Sequence, residues 1–340
     1  MNICLFLLVF PFLVSLTARA DWVFQQSQFT NASFRAVRAV TAKVVWVGGS
    51  RGACLRTVDG GQTWEKLTVT VDTNADFRGL FAFDALTAIV MSAGEAERDV
   101  ARMYRTTDGG KSWQLVFQTW QKGVFLDCVA FWDKTNGLVF GDPIGGKWYL
   151  LKTVDGGRTW EWVLPDNLPP MLPNEAAFAA GNSAMVLQGA SNVWIASGGA
   201  ERARVFYSTD RGRMWRVSDT PMPSGATAGI FGLRFWDARH GIGVGGDYKR
   251  ETEPSDNVIA TSDGGVTWQK AAATDPPGLK ETVDLLPHRT LLAVGPSGTS
   301  VSKDYGKSWR KIGLTSFHSV SWADGQCWAV GGNGLIAKWK

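Results

Sequence analysis

One phrase constrains this chain more than any other, because it recurs six times. It reads TVDGGQTW from Thr57, TTDGGKSW from Thr106, TVDGGRTW from Thr153, STDRGRMW from Ser208, TSDGGVTW from Thr261 and SKDYGKSW from Ser302. Its aspartates are Asp59, Asp108, Asp155, Asp210, Asp263 and Asp304, spaced by 49, 47, 55, 53 and 41 residues. Its tryptophans are Trp64, Trp113, Trp160, Trp215, Trp268 and Trp309. A catalytic group is needed once per active site, whereas a turn brace is needed once per structural repeat. Six copies at a period of this size mark an array of repeated units.

A second element precedes each copy: a short apolar run ending at Gly49, Gly94, Asp142, Gly199, Gly246 and Gly298. A seventh run, CWAVGG to Gly332, has no aspartate phrase after it. Within the first unit, FRAVRAV, KVVWVGG, ACLRTV and TWEKLTV each alternate with period two between Gly or Asp residues, which predicts four short strands, A to D. Four strands repeated at this spacing predict an all-β, seven-bladed β-propeller of four-stranded antiparallel blades. The seventh unit lacks its fourth strand, and WVFQ from Trp22 resembles the D strand that follows Trp113. The expectation is a single domain over residues 21–340, with the N-terminal strand completing the last blade and closing the ring.

The phrase is suited to a Gly-rich turn between strands C and D. The carboxylate can accept local backbone N–H bonds, the glycines allow positive φ, and the tryptophan supplies apolar area between blades. One carboxylate per turn is too few, without help, for the roughly six to eight oxygen ligands of a calcium loop. The pattern resembles the Asp-box, or BNR, repeat of sialidases, other glycoside hydrolases and sortilin-type receptors. With seven units and the A-strand phrases FRGLFAFD from Phe77 and CVAFWDKTNG from Cys128, the whole mature chain resembles the photosystem II stability/assembly factor family and its bacterial relatives. That resemblance implies a non-catalytic propeller that binds a protein partner through a basic docking patch. Such sequences also occur in organisms without photosystems, so it does not imply photosynthesis.

Residues 1–20 read as a signal peptide, with an apolar run from Ile3 to Leu16 and the small-residue pattern Ala18-Arg19-Ala20 before Asp21. An uncleaved anchor is the alternative. Export, to the periplasm or outside the cell, is the expectation. Without Arg19 the mature chain has 34 basic and 31 acidic residues, a net +3, and the scattered basic residues exclude a nucleic-acid surface. Cys54, Cys128 and Cys327 remain, enough for at most one disulfide; His240, His288 and His318 lie far apart. No metal or cofactor is expected, and the chain is expected to be a monomer.

Function is expected on the face opposite the Asp turns, where the long unequal segments 68–76, 95–102, 164–175, 220–229 and 247–256 surround the channel mouth. Arg35 and Arg78 each follow a Phe at the start of an inner strand in adjacent blades, with His318 in a comparable place. Together with the loop residues Lys249 and Arg250, they form the candidate partner-binding set, aimed at a carboxylate-bearing partner, possible membrane-complex subunit included. Internal pairing of the arginines with Asp127 or Asp284 is the competing expectation. The alternative function is a carbohydrate-active enzyme, a glycoside hydrolase or sialidase-like protein, using Asp142, Glu175 and Asp247. A sialidase needs a tyrosine nucleophile beside a Glu, and among the tyrosines only Tyr248 falls on the loop face. The scaffold reading needs no catalytic residue.

Overall fold

Residues 22–27, 29–98, 100–253, 256–271 and 278–340 are described in a computed structural model. The expected leader and its cleavage point lie outside them. In blade 1, strands A (Phe34–Ala39), B (Val45–Gly49), C (Cys54–Thr57) and D (Glu65–Lys66) form one antiparallel sheet in chain order. Val45, Trp46 and Val47 are fully buried because strand B has partners on both edges and blades on both faces. Strand D is short, charged and exposed, which suits an outer edge that must not pair with another chain.

Six further four-stranded sheets follow among the described residues, with inner strands Phe77–Ala82, Leu126–Phe131, Met185–Gln188, Ala228–Phe235, Thr282–Leu286 and Ser319–Ala323. Neighbouring inner strands touch all the way round the ring. The seventh blade takes its outer strand from the start of the chain: Trp22–Gln25 pairs antiparallel with Ile336–Trp339, Trp22 opposite Trp339. Seven blades and closure by the N-terminal strand are therefore as the repeat pattern predicts. The single helical element among the described residues is a short 3-10 turn, Ala96–Arg98. No described helix is long and apolar enough to cross a membrane. Cys54, Cys128 and Cys327 are buried and unpaired, and burial pushes the Cys54 and Cys128 thiols up to about 12.

The Asp turns share one hydrogen-bond scheme. In blade 1, Thr57 Oγ1 donates to Asp59 Oδ1 at 2.8 Å and accepts from Gly61 N at 2.9 Å. Thr63 gives its N–H to Asp59 Oδ1 at 3.0 Å and its hydroxyl to Oδ2 at 2.6 Å. The same 2.8 Å hydroxyl–carboxylate contact recurs at Asp108, Asp155, Asp210, Asp263 and Asp304. Gly61, at φ 82, could carry no side chain: a Cβ there would lie 2.5 Å from the Trp328 ring of blade 7. In blades 1 and 5 the turn lets a tryptophan of the previous blade close over it, Trp328 on Gly61 and Trp194 on Gly265; in blades 2, 3 and 6 Leu67, Ile89 and Ile242 take that place. Trp64 meets Trp328 edge-on at 5.7 Å, and Trp113 meets Trp46 at 6.3 Å. In blades 4 and 6 the first turn glycine is Arg211 or Tyr305, held at φ 63 and 60. Both side chains reach the equivalent tryptophan of the preceding blade, Arg211 over Trp132 and Tyr305 stacked on Trp236 at 5.1 Å. Left-handed strain is offset there by contact between blades.

Hydrogen bonds from Thr63 and Ser112 hold the exposed Asp59 and Asp108 carboxyls well below the usual carboxylate range. At Asp155, Asp210, Asp263 and Asp304 slight burial opposes the shift, and the turn hydrogen bonds outweigh it. A depressed folded-state pKa gives stability that is complete above the unfolded value of about 3.9 and is lost as pH falls through the folded one. The thermal midpoint is therefore expected to fall progressively below about pH 4. Asp59→Asn should show a smaller drop across that range than the wild type; identical acid profiles would refute the bracing role of its charge.

Ahead of the blade 4 inner strand, residues 177–183 leave the rim and cross the channel. Ala179 O accepts from Arg78 Nη1 of blade 2 at 3.3 Å, and Gly181 O accepts from Ser319 Oγ of blade 7 at 3.2 Å. Asn182, in the left-handed conformation at φ 57, donates Nδ2 to Leu80 O and Val129 O and accepts Val129 N–H at 3.0 Å. Ser183 Oγ donates to Glu281 O of blade 6 at 3.3 Å. Gly181 has no room for a side chain: a Cβ there would sit 2.5 Å from Thr282 Cγ2. This plug divides the channel into two cavities, one of about 410 Å³ on the loop face and one of about 250 Å³ beside Arg38, Arg234 and Asp284.

Candidate functional site

The loop-face cavity is built by one backbone device used repeatedly. In blades 1, 2, 3 and 5 the pairing of strand A with strand B skips a single residue: Arg35, Arg78, Asp127 and Phe231. A bulged residue is released from the ladder and re-aimed, and all four line this cavity. In blades 6 and 7 the equivalent places belong to Glu281 and His318, just before the first paired residue of strand A. Their N–H groups are tied to Val294 O at 2.8 Å and Val330 O at 2.7 Å.

Arg35 and His318 are brought together, as their positions predict. His318 Nδ1 lies 2.7 Å from Glu281 Oε2 and 3.3 Å from Arg35 Nη1. One ring nitrogen cannot both donate and accept, so the nearer Glu281 carboxylate accepts the Nδ1–H hydrogen bond. Arg35 is left paired with Glu281 at 3.7 Å. Burial first, and then the neighbouring Arg78, lower the Arg35 pKa against the pull of Glu281; an incoming anion would counter both. Arg78 donates Nε to Asp76 Oδ2 at 2.8 Å and Nη1 to the plug. Neither arginine pairs with Asp284. That carboxylate sits at the other cavity, 2.9 Å from Arg234 Nε, and accepts Trp322 N–H at 2.7 Å. The opposite wall is aromatic: Phe178 of the plug stacks on Phe231 at 4.1 Å, with Tyr248 edge-on at 6.1 Å.

Lys249 and Arg250 do not line the cavity; they stand on its rim. Arg250 is bound to Asp247 at 3.0 Å and Glu253 at 3.7 Å, and Lys249 lies over the Tyr248 ring. The three acids of the carbohydrate alternative are not gathered on the cavity either. Asp142 lines it and accepts Ala177 N–H at 3.1 Å. Asp247 is capped by Thr227, the Lys249 N–H and Arg250, whose bonds outweigh a desolvation that opposes them and lower its pKa. Glu175, expected on the solvated loop, is instead buried in an ion pair with Arg204 and accepts from Ser197 Oγ at 2.6 Å. The residues that sequence reasoning left out of the set are Asp127 and Glu281. Their signal was the register they share with Arg35, Arg78 and His318. No cluster of three potential metal ligands occurs among the described residues.

A family model described as the BNR/Asp-box repeat matches residues 104–115, the blade 2 strand C and turn. The chain is a seven-bladed β-propeller with a BNR/Asp-box repeat in blade 2. Over 233 residues it is 25% identical to the photosystem II assembly lipoprotein Ycf48 of Synechococcus sp. (strain CC9902), covering 68% of this chain and 59% of that relative. The match thus spans about three fifths of the relative's length. Among solved structures, a YCF48 bound to a D1 peptide superposes with a TM-score of 0.62 at 15% identity, covering 96% of this chain and 99% of that one. YCF48 from Cyanidioschyzon merolae gives 0.63 at 17% identity, covering 94% and 98%. The WD40 propeller of Doa1 gives 0.60 at 10% identity, covering 94% and 97%. Scores this similar for unlike propellers speak for the fold, and the sequence match carries the resemblance to the assembly factors.

Proposed function

We propose that this propeller is an exported, non-catalytic scaffold of the photosystem II assembly-factor kind, docking a carboxylate-bearing segment of a protein partner in the loop-face cavity. A subunit of a membrane or exported complex is the partner class that fits the similarity to an assembly lipoprotein. The observation that carries the reading is the matched pair of bulges that aims Arg35 and Arg78 into one cavity. Guanidinium groups present planar, paired donors to carboxylates, and the aromatic wall offers apolar area to the remainder of a peptide. The rigid ring holds these groups in place before the partner arrives, which limits the ordering cost of binding.

The test uses the mature chain and an Arg35→Glu/Arg78→Glu variant shown to fold. A partner captured by the wild type from membrane and exported-protein extracts is purified and titrated against both. Truncating charged partners at an interface costs about 2–5 kcal/mol, so affinity for the variant is expected to fall at least about tenfold. Equal affinities would refute docking at this cavity.

A further inference from the structure

Among the buried acids described at the loop-side cavity, Asp127 is the one left without a hydrogen-bond partner at either oxygen. It is 1% exposed, yet neither carboxyl oxygen has a protein donor. Buried carboxylates are ordinarily paired or hydrogen-bonded, since an isolated charge in such a place is costly. Asp127 is set at the third of the bulges, one blade on from Arg78, and lines the same cavity. Asp142 faces the cavity from strand B of the same blade, with one oxygen on Ala177 N–H.

The charge balance makes this pair decisive. The lining holds two guanidinium groups, Arg35 and Arg78, against four carboxyls, Asp127, Asp142, Glu251 and Glu281, with His318 beside Glu281. Asp76 further engages Arg78 from behind. The plug residues 177–180, Ala-Phe-Ala-Ala, add no charge. With every acid ionised the lining would repel an anion. Burial, and then the neighbouring Asp142, push the Asp127 carboxyl well up, with Arg78 opposing; burial also pushes Asp142 up, against the Ala177 hydrogen bond. A carboxyl pushed up by burial and by a neighbouring carboxylate holds its proton to higher pH than a solvated one.

We propose that Asp127 carries a proton in the free protein and donates it as a hydrogen bond to the docked carboxylate, making it a specificity-determining residue of the cavity. One carboxylate is then held between an arginine and an acid. The assignment rests on the carboxylate-docking reading given above. It selects ligands that present an acceptor oxygen beside their charge, and it weakens their binding once pH rises far enough to remove the proton.

The experiment compares wild-type protein with Asp127→Asn, an isosteric variant that stays neutral and keeps a donor. The probe is an end-blocked Glu/Ala peptide, with the Gln/Ala and Lys/Ala peptides as controls, titrated between about pH 5 and 8, above the probe's own carboxylates. Wild-type affinity is expected to fall with rising pH, by up to about tenfold per unit once the pair titrates. Asp127→Asn should bind at least as tightly at the alkaline end and lose most of that slope. His318 is present in both proteins, so its own contribution cancels in the comparison. Equal slopes would overturn the donor role. So would a carbon NMR titration of the free wild type in which Asp127 ionises in the ordinary carboxylate range. A wild type that ignores Glu/Ala, or prefers Lys/Ala, would instead overturn the carboxylate-docking reading, and the donor assignment with it.

Discussion

Glu175→Ala is expected to destabilise the protein by roughly 3–5 kcal/mol, the cost of leaving one member of a buried ion pair uncompensated. The Arg204 side chain is 8% exposed and that of Glu175 is 0% exposed, so water cannot replace the lost partner. Glu175 also accepts from Ser197 Oγ and from Leu172 N–H, while Arg204 reaches Pro170 O at 2.9 Å. Together these contacts fasten segment 164–175 to strand C of blade 4, directly before the plug. Loss of the pair is expected to loosen the plug, and with it Phe178 and the Arg78 contact at Ala179. Chemical denaturation of the variant beside Glu175→Leu/Arg204→Met separates charge from packing. The double replacement should recover most of the loss, since well-packed apolar residues can substitute for a buried pair. A catalytic Glu175 predicts the reverse, a single variant that is stable and inactive. An unchanged unfolding midpoint in Glu175→Ala would refute the structural assignment.

What the sequence made legible follows from how locally each feature is encoded. The Asp turn needs its hydroxyl, carboxylate and glycines within a few residues, so every copy is visible on its own; Asp210 keeps its place even where Met214 replaces the last hydroxyl. The candidate cavity was half legible for the same reason. Phe34-Arg35, Phe77-Arg78 and Phe317-His318 share one phrase, an apolar residue followed by a polar one at the mouth of strand A. Leu126-Asp127 follows the phrase too, but an acid there reads first as a counter-ion for an arginine. Its lack of any partner is a property of three-dimensional burial.

The plug and the Glu175–Arg204 pair were not legible, and for a different physical reason. The plug's bonds join Asn182 to Leu80 of blade 2 and Val129 of blade 3 through backbone groups that any sequence possesses. Its composition, AAFAAGNSA from Ala176, shows small side chains around a single Phe, which fits a solvated loop as well as a filled channel. Glu175 meets Arg204, 29 residues along the chain at the start of the strand Arg204–Ser208, so nothing near either residue announces the other. Recognition by long-range packing is where loop-length arguments end.

Deleting residues 22–25 is expected to have the larger effect still, because it opens the ring. Trp22 packs against Phe317 and Trp339, each at 4.8 Å between ring centroids, and donates Nε1 to Thr299 Oγ1 of blade 6 at 3.2 Å. Removing a fully buried tryptophan costs about 3–5 kcal/mol, and the partly buried Trp22 contributes a share of that. Deletion adds the loss of four paired residues and bares the Ile336–Trp339 edge, an open template for pairing with another chain. The blades are held to their neighbours through shared aromatic contacts, so an unsealed seventh blade also loosens its grip on blade 1 at Trp64 and Trp328. The truncated chain should therefore unfold at a much lower temperature, in a broader transition, and associate as its concentration rises. Supplying a synthetic peptide of residues 21–27 in trans should restore the midpoint in a dose-dependent way, since a ligand that binds only the folded state stabilises it by mass action. A peptide with Trp22 replaced by alanine should restore far less. A truncated chain with the wild-type midpoint and sharpness would mean that the ring is held by the six complete blades alone, and that closure by the N-terminal strand adds nothing to its stability.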